Sequence, residues 1–130
     1  MSLKKCDLPV CDIEVIVIIN DSEKTDADIK KGNFELYKQA NDWALNNSKP
    51  RLKFHILYFP DLSAKHAGVG FARKIGMDEA CWRFGKLKTR NGIIACFDAD
   101  SKCETNYFKA IETHFKNNPK CGNCNLLAIT

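Results

Sequence analysis

Apolar, β-branched runs alternate with amphipathic stretches along this 130-residue chain, which predicts an α/β fold with a three-layer, mostly parallel sheet. The first run, "IEVIVII", shows almost no apolar–polar alternation, as expected of a strand covered on both faces. Acidic residues gather where the runs stop, and sheets of this kind bind ligands at the carboxyl ends of their strands.

The elements follow in order. "IEVIVII" (13–19) reads as a buried strand, and "NDSEKTD" after it is turn chemistry. "FELYKQANDWALNN" places Phe34, Leu36, Tyr37, Ala40, Trp43 and Ala44 on one side of a helix, with Glu35, Lys38, Gln39 and Asp42 opposite. "LKFHILYF" (52–59) is a second strand, entered after Pro50 and stopped by Pro60. "AGVGFARKIGMDEACWRF" carries a small-residue face (Val69, Ala72, Gly76, Ala80) and a second apolar face (Phe71, Ile75, Trp82), so it predicts a helix sandwiched between the sheet and something else. "GIIACF" is a third strand. "ETNYFKAIETHFKNN" is a helix with Tyr107, Phe108, Ile111 and Phe115 as its stripe, and "CNLLAIT" is a final strand.

Hydrophobic residues make up 45% and charged residues 28%, ordinary values for one globular domain. The +4 net charge is spread thinly, whereas a nucleic-acid surface needs clustered basic residues, so no nucleic-acid partner is expected. No apolar run reaches the length of a membrane span, and there is no signal-peptide pattern. Residues 1–12 read as a tag or linker ahead of a domain at 13–130. Of the seven cysteines, Cys121 and Cys124 form one C-x-x-C; Cys6 and Cys11 are too widely spaced to complete a zinc site. Reduced thiols in the cytoplasm are the expectation.

"GIIACFDADS" ends a buried strand on Asp98 and Asp100. Two carboxylates flanking one small residue suit Mg²⁺ or Mn²⁺, which take one or two carboxylates together with phosphate oxygens and water. The plainer alternative is a helix start, with Ser101 and Glu104 in a capping box. Upstream, "KHAGVGFARKIGMDEA" joins a glycine-bearing loop to a helix, with Lys65 before it and Arg73 near its start. Helix-start amides and a guanidinium suit an anionic or planar ligand. The plainer alternatives are a surface salt bridge from Arg73 to Asp78 or Glu79, and an exposed loop position for His66.

Taken together, "VIINDSE", "KHAGVGFARKIGMDEA" and "IIACFDADS" resemble, in order, the signatures of family 2 inverting glycosyltransferases of the GT-A fold. That family carries a strand ending Val-Asp-Asp-Gly-Ser, an Asn-x-Gly-x-x-x-Ala-Arg-Asn-x-Gly-x-x-x-Ala helix and a strand ending Asp-Ala-Asp. The resemblance covers residues 13–130 and implies a nucleotide-diphospho-sugar transferase-like sheet. It implies a nucleotide-diphosphate sugar as donor, an acceptor that it does not identify, and Mn²⁺ or Mg²⁺ as cofactor. Asp21 would contact the nucleobase, Arg73 the base or diphosphate, and Asp98 and Asp100 the ribose and the metal-diphosphate, with Lys65 beside the donor. Asn20 stands for the family's first acid, Lys74 for its Asn after Arg, and "CWRFGKLKTRN" is inserted before the third strand.

The family's first strand, ending Pro-x-Tyr-Asn, has no counterpart before residue 13, and its catalytic base falls beyond this chain. The expectation is a truncated domain: the donor-binding part of a longer enzyme, inactive alone, cytoplasmic or peripheral to a membrane. With the central strand missing, "EVIVII" should present a bare edge and the chain should dimerise. The competing expectations are a non-catalytic nucleotide-binding domain on the same fold and a nucleotidyltransferase. The latter lacks its glycine-rich N-terminal loop here.

Overall fold

A computed structural model describes residues 2–88, 91–118 and, for the backbone alone, 126–129. Cys121 and Cys124 lie outside the described residues. Strands β1 (Asp12–Ser22), β2 (Leu52–Leu62), β3 (Gly92–Ala95) and β4 (Leu126–Ile129) alternate with helices α1 (Ala27–Asn47), α2 (Val69–Lys86) and α3 (Tyr107–Lys116). The strands form one sheet in the order β2-β1-β4-β3, and every pairing is parallel.

Strand parity divides the core into two layers. Ile13 and Val15 of β1 join Leu52, Phe54 and Ile56 of β2 in packing with Ala44 of α1 and Phe108 of α3. The other face presents Ile16, Ile18 and Leu57 to Ala80 and Phe84 of α2. Helices therefore cover both faces, as right-handed crossovers require when the chain steps from β1 to β2, back past β1 to β3, and then to β4. Gly92 belongs to this packing: a Cβ there would lie 2.4 Å from the Phe84 ring. No helix of the described residues is long and apolar enough to cross a membrane.

Several elements depart from expectation. β2 continues through Pro60, because it is an edge strand and the missing N–H costs no ladder bond. Beyond Pro60, Asp61 takes a left-handed φ of 56° and the register with β1 shifts, which is a β-bulge. β3 stops at Ala95, short of the expected Phe97. The second apolar face of α2 is not sandwiched: Trp82 is 57% exposed, with Lys86 over its ring. Phe34 and Leu36 of α1 also stay largely in solvent.

The N-terminal segment is no linker. Leu3, in a 3₁₀ turn at Leu3–Lys5, is 1% exposed, and Cys6 and Cys11 are buried with it. Glu112 of α3 accepts a hydrogen bond from the Cys11 amide at 2.9 Å, and the Asp7 amide donates to the Thr105 carbonyl at 2.8 Å.

The expected bare edge is half closed. β4 pairs with Asp12–Val15 and lies between β1 and β3, so β1 is an inner strand there. Among the described residues, the pairing of β1 with β4 ends at Val15, and Ile16–Ile19 pair with β2.

Candidate functional site

Where β4 stops, a cavity of about 190 Å³ opens beside Val15–Ile18 of β1. Val69, Ala72 and Arg73 of α2 form one wall; Phe97, Asp98 and Ser101, following β3, form another; Ser2 and Leu3 complete it. Its polar groups come from the carboxyl-end side of the sheet, where a parallel α/β sheet binds ligands.

Arg73 pairs with Asp98 across this cavity, and both side chains are about half exposed (45% and 55%). Asp78 and Glu79, the alternative partners on the helix, are taken by Lys74 and by Arg83 (2.8 Å). An exposed pair contributes at most ~1 kcal/mol to stability, so Arg73 and Asp98 are held at the rim for little gain to the fold.

Asp98 and Asp100 do not begin a helix. Residues 98–101 form a turn closed by the Ser101 amide on the Asp98 carbonyl (2.9 Å). α3 starts only at Tyr107, its N-cap is Asn106, and the capping box of Ser101 and Glu104 is not formed. The plainer reading of the two acids is thereby removed. Asp100 is exposed, two residues from Asp98 in the same turn.

The loop Ser63–Gly68 leads into α2. Asn20 anchors it by donating from Nδ2 to the Ala67 carbonyl at 2.9 Å. An ionised acid at position 20 would have no proton to give that carbonyl. Gly68 is the N-cap and has no side chain with which to cap the helix start. A Cβ at Gly68 or Gly70 would meet nothing within 4 Å, so internal packing does not demand glycine at either position. His66 is exposed and stacks on Phe71 at 4.8 Å; Lys65 is exposed beside it and lies outside the cavity lining.

Asp21 is not at the rim. It is 4% exposed and accepts hydrogen bonds from the Tyr58 hydroxyl (2.8 Å), the Asp61 amide (3.0 Å) and Asn33 Nδ2 (3.4 Å). Burial pushes its carboxyl up, but the Asp61 amide, Tyr58, Asn33 and the Lys30 charge outweigh it and hold it below its ordinary value. The same burial and hydrogen bond push the Tyr58 hydroxyl up to about 12. The expected contact with a nucleobase therefore lacks an open carboxylate to make it. Asp21 instead pins the bulge at Asp61 to the end of β1.

The structure thus brings Arg73 and Asp98 together at the cavity, leaves Asp100 exposed in the same turn outside the cavity lining, and sets Asp21 and Lys65 apart. Asn20 was not legible as the anchor of the loop into α2, nor Tyr58 as the partner of Asp21. A signal for Asp21 was present, since it shares the parity of Ile13, Val15, Val17 and Ile19, which point to the α1 side.

Among the described residues no group of three or more His, Cys, Asp or Glu is gathered to hold a metal. Asp98 is paired with Arg73 and Asp100 is exposed, so a cation at these two carboxylates would need its other ligands from phosphate and water. In comparisons with known proteins, the chain matches no family model, no curated protein and no solved structure.

Proposed function

We propose that this chain forms the donor site of a metal-dependent glycosyltransferase that uses a nucleotide-diphosphate sugar. The observation that carries the reading is the pairing of Arg73 with Asp98 over the cavity beside β1, with Asp100 in the same turn. A guanidinium offers paired donors to a diphosphate or an edge of a base. Mn²⁺ or Mg²⁺, when bound, would neutralise charge developing on the departing diphosphate. Asp98 and Asp100 would hold it, and Arg73, released from Asp98, would turn to the ligand. The uncapped start of α2 supplies amides beside the same wall, and Gly68 and Gly70 leave room for close approach.

Calorimetric titration tests this with a nucleoside diphosphate, with and without Mn²⁺. The expected result is binding that needs both together, weakened about tenfold or more by Asp100→Ala or Arg73→Ala, a loss of about 1.4 kcal/mol or more. Arg73→Lys should fall between, because an ammonium cannot form paired bonds. Tight Mn²⁺ binding without nucleotide, or variants that bind as wild type does, would overturn the reading.

A further inference from the structure

Cys6 and Cys103 are 97 residues apart in sequence, yet their sulfurs lie 3.6 Å apart. The Cys6 thiol also faces the Glu104 carbonyl (3.5 Å), and that of Cys103 faces the Ser2 hydroxyl (3.4 Å). Neighbouring contacts hold the two segments in register: the Asp7 amide on the Thr105 carbonyl, and Lys109 on Asp7 at 3.3 Å. A disulfide needs its sulfurs about 2.05 Å apart, and small side-chain rotations close a gap of this size when the backbones are already adjacent.

We propose that Cys6 and Cys103 are a disulfide-forming pair that staples the N-terminal segment to the loop carrying Asp98 and Asp100 when a low-molecular-weight disulfide is present. The step balances as a two-stage exchange. Cys103, the less buried sulfur, loses its proton and attacks the small disulfide; its S–S bond breaks and one thiolate leaves. Cys6 then loses its proton and attacks the Cys103 sulfur, releasing the second thiolate. Both electrons end on the small disulfide, which becomes two thiols as it takes up the two protons.

Chemistry favours this order. Burial pushes the Cys6 thiol up to about 12, with neighbouring Cys103 and then Asp7 adding to the rise. Cys6 is therefore a poor first nucleophile. Once Cys103 is a neutral mixed disulfide, its charge no longer opposes ionisation of Cys6, and the two sulfurs are already neighbours. Ser2 and Leu3 line the cavity at which Arg73 meets Asp98, so the staple fixes one of that cavity's walls. The link does not depend on what the cavity binds.

The test is incubation of the folded chain with oxidised glutathione, followed by non-reducing tryptic mapping and thermal melting. The expected product joins peptide 6–24 to peptide 103–109 through Cys6, lighter by two hydrogens than the separate peptides. Closing a loop of this length should raise Tm by on the order of 10 °C. Cys103→Ser, at a half-buried position, should show neither the link nor the rise, and it keeps the test valid should the buried Cys6→Ser fail to fold. A link through Cys11, links between chains, or glutathione adducts confined to Cys81 and Cys96 would overturn the proposal. So would a Cys6–Cys103 link that leaves Tm unchanged.

Discussion

Replacing Asp21 by alanine empties the acceptor that holds the end of β1 to the bulge of β2. The Asp61 amide at 3.0 Å and the Tyr58 hydroxyl at 2.8 Å both lose their partner. A hydrogen bond to a charged acceptor contributes ~1.5–3 kcal/mol, and a buried donor left unpaired costs about as much. Two such bonds, less what entering water restores, give a loss of about 3–5 kcal/mol; the Asn33 contact at 3.4 Å adds little. At about 3 °C per kcal/mol for a chain of this size, Tm should fall by about 10–15 °C. Tyr58→Phe should cost less, about 1–2 kcal/mol, because Asp21 keeps its backbone donor. Thermal melting and urea unfolding, without any ligand, provide the measurement. An Asp21→Ala chain as stable as wild type but unable to bind a nucleoside diphosphate would refute this reasoning. Asp21 would then be a ligand contact and not a pin.

Two further outcomes are expected. Stability should fall on acidification in two stages, as followed by urea unfolding from neutral pH downward. His55, held below its ordinary 6.5 by burial and then by the Arg83 charge, stays neutral while the unfolded chain takes up a proton, so the first loss comes as pH drops below 6.5. Glu112 and Asp21 add the second loss below their ordinary 4.5 and 3.8. In each, burial acts upward but hydrogen bonds and a lysine charge prevail, so stability present above those values disappears as pH falls through the lowered ones. Stability that rises with acid would contradict all three assignments. Asn20→Asp should loosen the loop into α2, because two oxygens then face each other where Nδ2 meets the Ala67 carbonyl; amide exchange at Ala67–Phe71 should quicken, with no change expected in α3.

Periodicity made the helices legible. The Tyr107–Phe108–Ile111–Phe115 stripe packs on the core as read, and α2 spans the segment expected of it. Strand ends were less legible, since Pro60 reads as a stop only if its strand is internal, and position within the sheet is a property of the whole chain. The same holds for the place of β4. Nothing local in "NLLAI" specifies pairing between β1 and β3. The acids after β3 were found by their spacing, but their freedom from a helix cap depended on where α3 begins. Glu112 was missed although it sits one turn from Phe108 on the core side. An acid in an apolar stripe signals a backbone partner, here the incoming amide of Cys11.

The seating of β4 between β1 and β3 also bears on the order in which the sheet can be assembled during synthesis. β1, α1 and β2 are contiguous and can pair as soon as Leu62 has emerged. β3 emerges next, but among the described strands its neighbour is β4, which is made after α3. Until β4 arrives, the apolar "GIIA" strand has no ladder to join and β1 keeps one side bare. Such an interval exposes pairing edges to other chains. A nascent chain paused after α3 therefore presents two unpaired strand edges, one on β1 and one on β3.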